Sequence, residues 1–207
     1  MSNKINYQLI LDKTLAEIKD YSQPPTLLLH SCCAPCSSYC LEYLSDYFKI
    51  TVFYYNPNIE TEEFERRYLE QVRLVNKLKT KYPVTVIKGD HDTSIFYKAV
   101  EGHEDDPEGG QRCKICFNLR LEEAAKFAKE NGFDYFTTTL SISPLKDADL
   151  LNEIGKSLSE KYGVKYLYSD FKKKNGYLRS IELSKEYCLY RQNYCGCIFS
   201  LKQTIEK

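Results

Sequence analysis

The feature that most limits how this chain can fold is a regular alternation of short apolar segments with helical patterns. Five segments are rich in Val, Ile, Leu, Thr, Tyr and Phe, and several are too uniformly apolar for a strand with one face in water. We predict that all five are buried strands. They cover residues 26–30, 50–55, 84–88, 135–140 and 165–169.

Between these segments, apolar residues recur at the spacing of one face of an α-helix. One such pattern follows a predicted N-cap at Thr61, and two others end at Gly132 and Gly163. Strands that alternate with helices form right-handed crossovers and a parallel sheet covered on both faces. We therefore predict an α/β fold, a doubly wound, five-stranded parallel sheet with a helical C-terminal segment. The length is that of one domain, so residues 1–207 are assigned to a single domain.

In a doubly wound sheet, ligands bind beyond the carboxyl ends of the strands, where the strand order reverses. Polar residues follow the first four predicted strands. After the fourth, Ser141, Ser143 and Lys146 are candidates to hold a substrate hydroxyl or phosphate, whereas Asp147 either acts there or caps a helix. Residues 90–92, Asp-His-Asp, are candidates for metal binding, proton transfer or only a turn in which the last aspartate caps a helix.

Nine cysteines, an odd number, cannot all pair with one another in disulfides. The first residues interleave Lys, Asp and Glu with apolar residues, unlike a secretory signal, and no apolar run approaches the roughly 18 residues of a membrane span. We therefore expect a cytoplasmic protein without a membrane segment. In that reducing compartment, local groups of cysteines are typical of metal ligands or redox thiols rather than structural bridges.

Two groups of cysteines have the spacing of metal ligands. Cys32, Cys33 and Cys36 lie on a predicted strand-to-helix turn, where unpaired helix amides favour thiolates, and Cys113 and Cys116 begin a helix on one face. The four thiolates of Cys32, Cys33, Cys113 and Cys116 suit a [4Fe-4S] cluster and equally a structural zinc ion. The alternative is that these cysteines are small buried residues of the core.

Cys195 and Cys197 are separated by one glycine, a spacing suited to a strained and easily reduced disulfide, so we predict a redox pair. The alternatives are two additional metal ligands or two packed thiols. Cys40 and Cys188 lie in helical patterns, and we predict that both belong to the core. His30 lies beside the first cysteine turn. It either tunes a metal site or has only a structural role as the cap of the strand.

Basic and acidic residues number 29 each, but their distribution is uneven. Residues 101–108 carry five carboxylates, in a loop that we interpret as an insertion or a lid, whereas residues 165–207 carry nine Lys or Arg against four acidic residues. Cations interleaved with tyrosines are typical of single-stranded RNA recognition. The candidates are Lys172, Lys173, Lys174 and Arg179. The alternative is a solvated helix surface.

Taken together, these motifs resemble the QueH-type epoxyqueuosine reductases, which carry out the last step in making the tRNA nucleoside queuosine. The resemblance covers about residues 26–200. It rests on His30–Ser37 (HSCCAPCS), Tyr55–Ile59 (YNPNI), Arg112–Phe117 (RCKICF), Thr138–Pro144 (TTLSISP) and Tyr194–Cys197 (YCGC).

The resemblance implies a HUP-type fold, the doubly wound variant shared by adenine-nucleotide hydrolases and tRNA-thiolating enzymes. The cysteine turn stands where those relatives have a glycine-rich phosphate loop, which implies that ATP is not used. The resemblance further implies that four residues hold a [4Fe-4S] cluster: Cys32, Cys33, Cys113 and Cys116. Cys36 is implied to serve an additional single iron or zinc ion, with Asp90 or Cys195 as candidate partners.

The implied reaction is the two-electron reduction of the epoxide of epoxyqueuosine to an alkene, at the wobble position of a tRNA anticodon. Cys195 and Cys197 are the implied redox-active pair, reopened by an external electron donor. His91, Tyr177 and Asp147 are equal candidates to deliver protons. Two alternatives remain. A tRNA-thiolating enzyme of the same fold would need an ATP phosphate loop, which residues 31–38 do not supply, and a zinc-stapled RNA-binding module without catalysis would leave the Cys195-Gly196-Cys197 motif without a role.

Overall fold

The five predicted strands form a single sheet in a computed structural model of the chain, which describes residues 5–205. All neighbouring strands are parallel, and their order is β3-β2-β1-β4-β5. The α/β class and the five-stranded parallel sheet are therefore confirmed. The strands are β1 (Thr26–His30), β2 (Lys49–Tyr54), β3 (Thr85–Lys88), β4 (Tyr135–Thr138) and β5 (Lys165–Tyr166).

Helices connect the strands and follow the last one, so that the C-terminal segment is helical as predicted. They are α1 (Tyr7–Lys19), α2 (Ala34–Leu44), α3 (Thr61–Lys77), α4 (Thr93–Ala99), α5 (Gln111–Glu130), α6 (Ala148–Tyr162), α7 (Gly176–Glu186) and α8 (Ile198–Ile205). Within residues 5–205, none of these helices combines the length and apolar character needed to cross a membrane.

Helices cover both faces of the sheet because successive side chains of each strand point in opposite directions. Leu27 and Leu29 of β1 belong to an apolar cluster that contains residues of α1, α2 and α3. Leu28, between them, belongs to a second cluster that contains residues of α5 and α6. The three leucines are fully buried, which explains why the central strand has no polar face.

Several predicted element ends differ from the structure. The fourth strand stops at Thr138, because its hydroxyl accepts the N–H of Leu140 and starts a 3-10 turn over Thr139–Ile142. The fifth strand has only two residues, since the backbone N–H of Ser169 bonds to the Asn152 side chain. The predicted N-cap at Thr61 was wrong: the chain turns from extended to helical backbone at Glu60, which is the cap.

Candidate redox site

The cysteine turn lies at the carboxyl end of β1, the central strand, where the strand order reverses between β1 and β4. Cys33 is the N-cap of α2. Pro35 lies in the first turn of that helix, where the N–H that proline lacks would have no partner within the helix. Two side chains hold the turn. Asn56 donates to the carbonyl of Ser31 at 2.9 Å, and the Ser31 hydroxyl donates to Gln71 at 2.8 Å.

Three thiols are grouped in this turn. The Sγ atoms of Cys33 and Cys36 are 2.9 Å apart, those of Cys32 and Cys33 are 3.7 Å apart, and all three lie within 4.8 Å of one another. Hydrogen bonds from the neighbouring thiols, together with Arg120 and Lys146, hold the pKa of Cys32 well below its usual range. The same bonds raise the pKa of Cys36. The turn thus favours one thiolate with two thiols beside it.

Cys113 and Cys116 approach from the first turns of α5. Cys113 packs against the same apolar cluster as Cys32 and Cys33, and its sulfur accepts the N–H of Gly109 at 3.3 Å. Cys116 is buried and packs in a different cluster, together with Cys197. Burial raises the pKa of Cys116 to about 12, although the Arg120 guanidinium opposes the shift. Among the described residues, the group of three close thiols does not include this pair.

The loop of Cys195 and Cys197 connects these groups. Cys195 lines one cavity with Cys32, Cys33 and Cys36. Cys197 is buried and accepts the N–H of Ser200 at 3.4 Å, and burial raises its pKa to about 11. Both are free thiols. The predicted redox pair therefore lies between the cavity and Cys116.

Two buried arginines lie beside the thiols. Arg67 and Arg120 are 1% and 0% exposed. Arg67 pairs with Glu63 at 2.6 Å, and Arg120 donates to Asn56. Within the described part of the chain, Nη2 of Arg67 and both Nε and Nη1 of Arg120 have no hydrogen-bond partner. Burial opposes the charge of Arg120, but electrostatic interaction with Cys116, Cys32 and Cys195 outweighs it and raises the pKa of the guanidinium.

A buried cation whose N–H donors have no partner lowers the stability of the folded chain, unless an anion accepts those hydrogen bonds. A metal–thiolate centre is such an anion. Its ligands are thiolates, and the lowered pKa of Cys32 favours that form of its side chain. The donor set of this site therefore fits a negatively charged metal group. Sequence reasoning did not single out Arg67 or Arg120, because a buried arginine within a helical pattern has no distinctive spacing.

Gly196 has a φ of +120°, and a Cβ at this position would lie 2.8 Å from Nη1 of Arg67. The same guanidinium donates to the carbonyl of Cys195 at 3.1 Å. Gly196→Ala is therefore expected to lower the free energy of unfolding by about 1–3 kcal/mol, through backbone strain and displacement of Arg67. Urea unfolding measures the change.

Gly102→Ala is the matched control, since Gly102 also has a positive φ but open space around its Cβ position. The control should lose less stability and leave the reactivity of the Cys195 and Cys197 thiols unchanged. Equal losses in the two variants would show that contact with Arg67 does not matter for the loop.

The cavity shared by the cysteines has a volume of about 620 Å³. Two of the predicted substrate contacts, Ser143 and Lys146, line the cavity, whereas a third, Ser141, is buried and bonds to the Ser169 hydroxyl and the Phe171 N–H. Burial opposes the charge of Lys146, but electrostatic interaction with Cys195, Cys32 and Cys36 outweighs it and raises the pKa of the ammonium group. Lys146 therefore carries positive charge into the cavity.

The cavity wall includes Glu108 of the acidic loop that we interpret as an insertion or a lid. Other residues of the wall were not named by sequence reasoning, among them Leu145, Gln192 and Asn193. The last two precede the Tyr-Cys-Gly-Cys motif in a segment without regular secondary structure, where no periodicity marks a functional residue. Tyr177, one of the candidate proton donors, lies in the wall, and the guanidinium of Arg191 is 5.7 Å from its ring centroid.

The predicted basic surface is largely ion-paired. Lys172 lies 2.6 Å from Asp170, Lys174 lies 2.7 Å from Asp12, and Arg179 lies 2.7 Å from Glu42. Lys172 and Lys173 line a second cavity of about 390 Å³, to which Lys146 also contributes. Lys146 is thus the residue common to both cavities.

Other candidates have structural roles. Asp92 and Asp147 cap α4 and α6 by accepting backbone N–H groups. His91 bonds to the carbonyl of Ile59 at 2.8 Å and stacks on Phe64. Asp90 is exposed beyond β3 and does not line the cavity of the cysteines.

His30 is fully buried, with its ring nitrogens 2.8 Å from the Thr138 hydroxyl and 3.1 Å from the carbonyl of Tyr55. Cys40 is buried in the core, as predicted. The prediction for Cys188 was wrong, because this residue is exposed. Its positive φ of 50° turns the chain just after α7, and its carbonyl accepts from Arg73 at 2.8 Å.

The acidic loop is fastened to the start of α5. The buried Arg112 side chain donates to the carbonyl of Glu104 at 2.6 Å, and the Asp106 carboxylate accepts the N–H of Arg112 at 2.9 Å. Glu108 lies in the cavity wall. The loop is thus positioned beside Cys113 and the cavity.

A parallel α/β sheet with several free thiols gathered at its switch point defines a cysteine-dependent redox or metal-binding protein. The model of a family described as Epoxyqueuosine reductase QueH matches residues 27–203. A relative named epoxyqueuosine reductase QueH in Staphylococcus epidermidis is 44% identical over 211 residues, which cover 99% of this chain and 89% of the relative. The chain belongs to the QueH family of epoxyqueuosine reductases, which are oxidoreductases.

Other relatives with the same name cover similar parts of the chain. The protein of Streptococcus pyogenes serotype M1 is 42% identical, with 97% of this chain and 80% of the relative covered. The protein of Thermotoga maritima is 39% identical, with 88% of this chain and 93% of the relative covered. The range matched by the family model, residues 27–203, includes the cysteine turn, the start of α5 and the residues that line the cavity of the cysteines.

Proposed function

We propose that this chain reduces the epoxide of epoxyqueuosine in tRNA to the alkene of queuosine. The observation that carries the proposal is that Cys195 lines the same cavity as Cys32, Cys33 and Cys36. A redox thiol and metal-ligating thiols that share one cavity give a substrate access to both. Membership of an oxidoreductase family supports the same reaction.

The proposed cofactor is a [4Fe-4S] cluster held by Cys32, Cys33, Cys113 and Cys116. Four cysteines are the usual ligands of such a cluster, and the unpartnered donors of Arg67 and Arg120 suit its negative charge. Cys36 would serve a single iron or zinc ion beside it, with Cys195 across the cavity as a candidate partner. When bound, the cluster supplies single electrons and the ion supplies Lewis acidity.

The two thiols of Cys195 and Cys197 match the electron and proton demand of the reaction. Removal of one oxygen from the epoxide leaves an alkene and water, and it consumes two electrons and two protons. Conversion of the two thiols to a disulfide releases that number of each. We propose that an external electron donor then reduces the disulfide, so that the pair is used again.

Residues of the cavity complete the proposed chemistry. The ammonium group of Lys146, which lines the same cavity as the thiols, can donate a proton to the oxygen as the carbon–oxygen bond breaks. Tyr177 is a second proton donor in the wall. The cavity has the size of a site for one nucleoside, so a single nucleotide turned out of the anticodon loop fits the proposal. We place this tRNA-processing reaction in the cytoplasm.

The tRNA backbone is proposed to contact the cations around the cavity. The proposed substrate contacts are Ser143, Lys146, Lys172, Lys173, Lys174 and Arg179, with Ser143 and Lys146 as the inner ones because they line the cavity. Ser141, which is buried and bonded to the Ser169 hydroxyl and the Phe171 N–H, would act only by supporting the turn that carries Ser143. Charge reversal at Lys172, Lys173 and Lys174 should weaken tRNA binding about tenfold at low salt and less at high salt. Filter binding measures this. An unchanged affinity at low salt would remove these three lysines from the tRNA surface.

The proposed function is tested by conversion of the substrate. The full chain, purified without oxygen, is incubated with tRNA that contains epoxyqueuosine and with dithionite, and the digested nucleosides are identified by mass spectrometry. We expect queuosine to appear with the loss of one oxygen atom. Binding of the tRNA without conversion would favour a zinc-stapled RNA-binding module instead.

A further inference from the structure

We propose that Cys195 is the sulfur at which an external thiol reduces the disulfide of Cys195 and Cys197, and that this thiol enters by the same cavity as the tRNA nucleotide. The inference rests on the proposed function, because it takes the two cysteines to be the redox pair. It adds which sulfur is attacked, the chemical class of the electron donor, and the order in which the tRNA and the donor bind.

The two sulfurs of the pair differ in access. Cys195 is half-buried and lines the cavity that also contains Cys32, Cys33 and Cys36. Cys197 is only 6% exposed and does not line that cavity. In thiol–disulfide exchange, the attacking thiolate must reach one sulfur of the disulfide. A molecule in the cavity can therefore attack Cys195 but not Cys197.

Apolar side chains close the other approach to the disulfide. Cys197 belongs to an apolar cluster with the buried Phe96 and Val100, against which Phe199 packs. Its sulfur accepts the N–H of Ser200 at 3.4 Å, in the first turn of α8. A donor that approached Cys197 from this side would have to displace part of that cluster.

Hydrogen bonds of the backbone hold Cys195 at the cavity. Its N–H donates to the Ser200 hydroxyl at 3.2 Å, and its carbonyl accepts from the buried Arg67 at 3.1 Å. The Cys195 thiol also lies within electrostatic range of Lys146, which is in the cavity wall. The fold therefore presents Cys195 to the cavity and keeps Cys197 behind it.

The exchange balances with a thiol as the electron donor. The donor thiolate attacks Sγ of Cys195, the bond between the two cysteine sulfurs breaks, and Cys197 leaves and takes the proton of the donor. The Ser200 N–H that bonds to Cys197 stabilises the leaving sulfur. A second donor thiol then attacks the donor sulfur of the mixed disulfide, and Cys195 is released with that proton. The donor becomes a disulfide, and the pair gains two electrons and two protons.

The size of the cavity determines the order of binding. Its volume of about 620 Å³ is that of a site for one ligand of nucleoside size, so the nucleotide and the donor do not fit together. The tRNA must therefore leave before the disulfide is reduced. Conversion of the substrate and reduction of the pair then alternate, as in a ping-pong reaction.

The position of a mixed disulfide tests which sulfur is attacked. The metal-loaded full chain is oxidised with diamide, which takes two electrons and two protons from the thiol pair, and is then treated briefly with glutathione before acid stops the exchange. Peptide mass spectrometry locates the glutathione. We expect it on Cys195 at least about tenfold more often than on Cys197. Equal amounts on the two residues, or more on Cys197, would overturn the inference.

Single-cysteine variants give a second measurement that does not need the disulfide. Oxidised glutathione should modify Cys195 in the Cys197→Ser variant and leave Cys197 almost unmodified in the Cys195→Ser variant. Cys188, which is exposed and outside the cavity, is the internal control and should react equally in both variants. Equal modification of Cys195 and Cys197 would contradict the difference in access.

Protection by tRNA tests the shared cavity. Queuosine-containing tRNA at about ten times its dissociation constant should slow reduction of the disulfide by glutathione about tenfold, because about one-tenth of the chain is then free. Alkylation of the exposed Cys188 should not change, which controls for a general effect of bound RNA. Reduction at the full rate while the tRNA is bound would show that the donor uses another route.

The source of the thiol is identified by two donors. Reduction by glutathione would assign the donor to the small thiols, and reduction by thioredoxin alone would assign it to the protein dithiols. A disulfide that neither donor reduces would overturn a thiol as the donor.

Failure of the inference and failure of the proposed function give different results. Exchange at Cys197, or full reduction with bound tRNA, would overturn the inference and is compatible with conversion of epoxyqueuosine. If diamide forms no disulfide between Cys195 and Cys197, the redox pair of the proposed function is itself contradicted.

Discussion

Cys195→Ser and Cys197→Ser should each reduce multiple turnover of epoxyqueuosine tRNA by at least about a hundredfold, while the tRNA still binds. Neither variant can form the disulfide, and closure of that disulfide from two thiols is the proposed source of the two electrons that each epoxide consumes. Residues that act as a unit show such large single losses. Queuosine formed per chain over time, with excess reductant, measures the effect.

Cys188→Ser is the matched control, because Cys188 is an exposed thiol outside the cavity. It should retain the turnover of the wild-type chain. The Cys197→Ser variant should also retain its iron, which separates a redox role from metal ligation. Turnover equal to that of the wild-type chain in either variant at position 195 or 197 would defeat the proposed redox pair.

Cys116→Ser should abolish iron and sulfide binding and all conversion of epoxyqueuosine. A hydroxyl does not replace the thiolate ligand that the proposed cluster requires, and without the cluster no anion offsets the buried Arg120 guanidinium. We expect the free energy of unfolding of the metal-loaded chain to fall by about 3–5 kcal/mol, as when one member of a buried charged pair is removed. Iron and sulfide analysis and urea unfolding provide the two measurements.

Cys40→Ala is the control for this variant. Cys40 is as fully buried as a core residue can be but lies outside the group of close thiols. It should lose some stability through the missing sulfur and keep the full iron and sulfide content. Loss of iron from the Cys40 variant and retention in the Cys116 variant would reverse the proposed ligand assignment.

The fold followed from local patterns because burial and hydrogen bonding left few alternatives. The run at 26–30 has no polar face, which only a central strand of a doubly covered sheet accommodates, and it is β1 of that sheet. Gly163 ends α6 in the left-handed conformation that glycine adopts without strain. Element ends were harder to predict, because single side chains such as that of Thr138 decide them.

The site was only partly predictable. Motif spacing indicated the cysteines because thiolate chemistry requires close sulfurs, and it indicated their place because ligands bind at strand ends. It did not indicate Arg67 or Arg120, whose importance comes from burial and from polar atoms without partners. Those properties depend on how distant elements pack, which a linear pattern does not contain.

The predicted basic surface and the predicted burial of Cys188 were also affected by contacts that the local sequence does not contain. The lysines at 172 and 174 are a basic run in the sequence, but folding brings Asp170 and Asp12 beside them. Cys188 follows an amphipathic pattern, but the chain turns at that residue and exposes it. In both cases a contact or turn outside the local pattern determines the environment of the side chain.

The most direct test of the central claim is the metal content of the protein purified without oxygen. The account predicts a brown protein with broad visible absorption, bleached by dithionite, and with about four iron and four sulfide per chain from the cluster alone. A colourless protein with one zinc ion and no sulfide would contradict it and leave a zinc-stapled RNA-binding protein in its place.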